Sequence, residues 1–122
     1  MSVFIRAEHR PLSKEERTLL EWLVANGGPD AQQYASQIAD FSVVGRCTCG
    51  CPSIDLSVGR REQRKTGPSH ILADFEGETP EGIAVGVILH VREGEISELE
   101  ICAILDVKGP FNLPSIESLK QS

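Results

Sequence analysis

Aromatic side chains are scarce in this chain, with one Trp, one Tyr and four Phe among 122 residues. Bases are also outnumbered, 12 Lys and Arg against 18 acids, for a net charge of −6. These two shortages argue against a nucleic-acid partner, because neither counterion release nor base stacking has the residues it needs. The shortage of bases is uneven: residues 74 to 106 carry nine acids and a single base, Arg92. No apolar run approaches the roughly 20 residues that span a bilayer. Residues 1 to 10 lack the continuous apolar stretch of a secretory signal. A cytoplasmic protein with no membrane partner is therefore expected. In that reducing setting Cys47, Cys49, Cys51 and Cys102 are expected to be free thiols or metal ligands rather than two disulfides.

What is present reads as one domain. Residues 1–12 form an N-terminal arm that Pro11 holds extended. A helical pair is expected over 13–39. Ser13 and Glu16 make a capping box, Leu19, Leu20, Leu23 and Val24 form an apolar stripe, and Pro29 suits the first turn of a second helix. Residues 42–106 alternate apolar and polar side chains in five segments, which predicts an antiparallel sheet built from successive hairpins. Residues 107–122 are read as a C-terminal tail packed along the domain. The fold class expected is thus α+β, with two N-terminal helices packed on a five-stranded antiparallel meander sheet.

Three constellations could carry chemistry. The first is the segment Val43 to Val58, read as a hairpin with residues 50 to 53 as its loop. That register sets Cys49 opposite Ile54 and Cys47 opposite Leu56, so both cysteines face the core as small hydrophobes while Cys51 sits on the turn. The alternative is a zinc site. On a flat strand the Cβ atoms of Cys47 and Cys49 stand almost 7 Å apart, so one ion can join them only if the strand end curls. Cys51 would then be a third ligand, with His70, His90 or Cys102 as a fourth. A redox or nucleophilic cysteine is disfavoured, since no helix N-terminus or cation is placed to stabilise a thiolate.

The second constellation is His90, Glu98 and Glu100 beside Cys102, on the outward face of a hairpin closed by Arg92-Glu93-Gly94. A three-residue loop there puts Val87 opposite Leu99 and His90 diagonal to Glu98, within reach for an acid–base pair or a weak metal site. Alternating polar residues are also what any one-sided sheet shows to water. The third is the basic run Arg60, Arg61, Arg64 and Lys65, a patch suited to an acidic partner or simply a solvated loop.

The segments Arg10-Pro11-Leu12, Cys47-Thr48-Cys49-Gly50-Cys51-Pro52-Ser53, Leu89-His90-Val91 and Ile96-Ser97-Glu98-Leu99-Glu100-Ile101 resemble a family of small uncharacterised bacterial proteins with a CxCGCPS hairpin. The resemblance implies a bacterial domain and brings no activity with it. With no assembled catalytic set, the expectation is a non-enzymatic binding or regulatory domain without a cofactor, acting on a protein or small-molecule partner. The alternative is a zinc-binding protein using the cysteine turn. A hydrolase-like enzyme built on His90 and Glu98 comes third.

Overall fold

In a computed structural model, residues 5–59, 67–107 and 109–121 are described. Among them the chain forms β1 (Ile5–Pro11), α1 (Lys14–Asn26), α2 (Pro29–Gln32), a 3-10 turn (Ala35–Asp40), β2 (Phe41–Cys47) and β3 (Ile54–Val58). These are followed by β4 (Ser69–Glu78), β5 (Ala84–Arg92), β6 (Glu95–Ala103), a second 3-10 turn (Ile116–Ser118) and β7 (Lys120–Gln121). The strands make one seven-stranded sheet in the order β1-β2-β3-β6-β5-β4-β7, and every pairing is antiparallel.

This corrects the expected five-stranded meander under two N-terminal helices. The supposed arm is a strand on one edge, paired to β2, and the supposed tail ends in a short strand on the other edge, paired to β4. Neither segment alternates strongly in sequence. Their strand form comes from the backbone groups of a neighbour that would otherwise be unpaired. The order is not a meander either, because β3 lies beside β6 rather than β4. The second predicted helix is also broken. Gln37 explains the 3-10 stretch, since its amide donates to the Gly94 carbonyl at 3.0 Å and its carbonyl accepts from Ile96 N–H at 3.0 Å. That clamp ties the segment to the β5–β6 turn.

α1 starts as expected. Ser13 Oγ accepts from Glu16 N–H at 3.1 Å, and Glu16 Oε1 accepts from Ser13 N–H at 2.9 Å. Burial alone would push the Glu16 carboxyl up, but the Arg10 guanidinium at 2.9 Å and the Ser13 amide bring it below its usual range. Arg10 thus fastens the end of β1 to the helix start. From that fixed end Leu19, Leu20, Leu23 and Val24 enter a core shared with Val43, Leu56, Val85, Val87, Leu89, Val91, Leu99 and Ile101. Trp22 meets Phe75 edge to face, with ring centroids 5.1 Å apart.

β5 and β6 are joined by a two-residue turn, in which Glu93 and Gly94 both have positive φ, 52° and 77°. That is the backbone of a type I′ turn, so the expected three-residue loop is corrected. With a bulge at Ser97, Val87 pairs with Ile101 instead of Leu99. The error is two residues, one full strand period, so the faces are as expected. Val85, Val87, Leu89 and Val91 point to the helices. His90, Glu98, Glu100 and Cys102 occupy the opposite side.

Candidate metal centre

The cysteine hairpin differs from its expected form at Val44. Val43 pairs with Leu56 and Gly45 with Asp55, which leaves Val44 as the extra residue of a bulge. Both valines are buried. Beyond the bulge the alternation is inverted, so Gly45 and then Cys47 lie on the sheet face away from the helices. β2 ends at Cys47, and residues 48–53 form the connection in place of the expected 50–53. The reading of Cys47 and Cys49 as core residues is therefore corrected: Cys47 and Cys51 are half-buried and Cys49 is exposed. A glycine and a bulge within one strand were the signals that could have shown this.

The curl that a metal site would require is present. Gly50 takes φ 97°, which turns the chain back after Cys49, and an added Cβ there would stand 3.0 Å from Pro110 Cα. The sulfurs of Cys47, Cys49 and Cys51 lie within 4.8 Å of one another. Cys47 Sγ donates to Cys49 Sγ at 3.0 Å, and the Cys51 amide donates to the same sulfur at 3.4 Å. Those donors, Cys47 first, hold the Cys49 thiol below its ordinary range. Burial, together with the bond to Cys49, pushes Cys47 up to about 12. Cys49 is thus a more acidic thiol than Cys47, through neighbours within its own turn and without a helix N-terminus.

Ser53 fixes this turn to the sheet, a role that the sequence reading missed. β3 and β6 share two register pairs, Ile54 with Leu99 and Asp55 with Glu98. One residue earlier Ser53 Oγ accepts from Ile101 N–H at 2.8 Å and donates to Ile101 C=O at 3.1 Å, extending the seam with a side chain. Cys51 Sγ lies 3.4 Å from the same oxygen. Replacing Ser53 with Ala leaves both main-chain groups of a buried strand residue without their partner, so a loss of about 2 kcal/mol is expected in urea denaturation. A loss below about 0.5 kcal/mol, the range of ordinary surface changes, would show that the seam does not depend on Ser53.

The three cysteines line a depression of about 370 Å³ together with Ser53, Glu98, Glu100 and Cys102. Cys102 belongs to this depression but is not one of the clustered sulfurs, and burial followed by the Glu100 charge raises its thiol. His70 is removed from consideration, because it pairs with Val91 and so lies on the other face from His90. His90 is the register partner of Glu98, corrected from diagonal, and its Nε2 lies 2.7 Å from Glu100 Oε1. Burial pushes Glu98 up, opposed by His90 and reinforced by Asp55 and Glu100. Arg60, Arg61, Arg64 and Lys65 lie outside the described residues.

Among the described residues no helix is long and apolar enough to cross a membrane. Comparison with protein-family models, curated proteins and solved structures gives no match, so the case for a function rests on this geometry.

Proposed function

We propose that this protein is a metal-binding domain in which Cys47, Cys49 and Cys51 hold a thiophilic ion, zinc in a reducing cytoplasm. The observation that carries this reading is the convergence of three sulfurs within 4.8 Å. Tetrahedral zinc with bonds near 2.3 Å sets its sulfurs about 3.8 Å apart, so the turn needs only small side-chain adjustments. Soft sulfur donors select zinc or Cu(I) over Mg²⁺ and Ca²⁺, and three protein ligands leave a fourth position for water or an incoming group. A binding or regulatory role follows more naturally from this than hydrolysis by His90 and Glu98, since the imidazole is hydrogen-bonded to Glu100.

Elemental analysis of protein purified without an affinity tag or chelator tests the reading. At least one zinc ion per chain is expected, released when the cysteines are alkylated. Metal-free protein that also fails to take up added zinc would sink it.

A further inference from the structure

We propose that His90, Glu98 and Glu100 form a second cation site, made of nitrogen and oxygen donors, at the margin of the depression that holds the thiolates. The domain then holds two divalent ions of different chemical softness. The argument is independent of the thiolate reading, because it rests on the β5–β6 register rather than on the cysteine turn. Pairing sets His90 directly across from Glu98, and Glu100 follows two residues later on the same face. One ligand atom from each of the three lies within 4.8 Å of the other two, and Nε2 is 2.7 Å from Glu100 Oε1. Ligands bound at about 2.1 Å stand roughly 3.0 to 3.4 Å apart around an ion, so the imidazole and the carboxylate need to separate only slightly.

The electrostatics point the same way. Glu98 is half-buried, and Asp55 and Glu100 place two further carboxylates beside it. Asp55 faces Glu98 from β3, while Asp74 and Glu100 flank Ile88 from β4 and β6. A divalent cation would offset this concentration of carboxylates. Imidazole with two carboxylates suits zinc, manganese or iron(II), whereas a thiolate set is poor for manganese. Glu98 and Glu100 also line the depression that holds Cys47, Cys49 and Cys51, so the two sites adjoin.

The test uses the full chain with Cys47→Ser, Cys49→Ser and Cys51→Ser combined, which removes the thiolate site without altering the core. Manganese chloride is titrated and followed by the loss of its free-ion electron paramagnetic resonance signal, and zinc is titrated against a chromophoric chelator. One ion per chain is expected to bind the triple variant. Adding Glu98→Gln and Glu100→Gln is expected to weaken binding at least about tenfold, the general size of the loss when a residue that only orients a metal ligand is replaced. His90→Asn supplies a second variant if the glutamine pair melts early in circular dichroism. A folded triple variant that binds neither ion overturns the second site, as does binding unchanged by both sets of substitutions. Failure of the thiolate site would instead appear as binding that the three serines leave unchanged.

Discussion

Replacing Cys49 with Ala is expected to weaken zinc binding at the thiolate site by about two orders of magnitude while leaving the metal-free protein's melting temperature nearly unchanged. Zinc in small structural sites is bound with about 10 to 16 kcal/mol over four ligands, so one ligand carries roughly 3 kcal/mol, or about a hundredfold. Cys49 should show the full effect, because its sulfur accepts from Cys47 Sγ and from the Cys51 amide and its thiol is held below the ordinary range. Its exposure explains the small effect on folding. Cys102→Ala is the control, since Cys102 shares the depression without belonging to the sulfur cluster. Competitive titration with a chromophoric chelator reads both variants. Equal losses in the two would mean that Cys102 is a ligand and that the cluster is not the unit that binds.

Leu99→Ala is expected to remove about 3 kcal/mol of stability, enough to threaten a domain whose total is of the order of 5 to 15 kcal/mol. Leu99 is fully buried on β6, paired on one side with Ile54 of β3 and on the other with Leu89 of β5. It therefore stands where the groups β1-β2-β3 and β6-β5-β4-β7 meet. Its neighbours in sequence, Glu98 and Glu100, face the site, so a slackened seam also loosens both sets of ligands. Ile71→Ala, at a side chain 54% exposed, should cost less than about 0.5 kcal/mol. Urea denaturation compares the two. Similar small losses would mean that the seam is not a packed core.

The parts of the fold legible in the sequence are those with a local cause. The Ser13 capping box and the Leu19, Leu20, Leu23 and Val24 stripe need only the helix period, and the faces of β5 and β6 need only alternation. Register is different, because it depends on the turn and on any bulge beside it: Glu93 and Gly94 alone make the turn, which moves the pairing by one residue, and the bulge at Ser97 moves it by one more, so that beyond it the faces are kept. β1 and β7 have weak local patterns and become strands through the edges they cover. The cysteine site was legible in composition and misread in geometry. Strict alternation through Val43, Gly45, Cys47 and Cys49 sends the thiols into the core, whereas burying Val43 and Val44 together at a bulge sends Cys47 outward. Ser53 carried no pattern at all, since its role depends on Ile101, 48 residues away.

The most direct test of the thiolate site is alkylation of the native protein, read cysteine by cysteine by mass spectrometry, with zinc bound and after chelation. With zinc, Cys47, Cys49 and Cys51 are expected to be protected together while Cys102 reacts at its own rate. After chelation all three should lose their protection, Cys49 reacting first because it is exposed and its thiol is held low, and Cys47 more slowly because its thiol is pushed up. Modification of Cys49 at the same rate under both conditions would contradict the site.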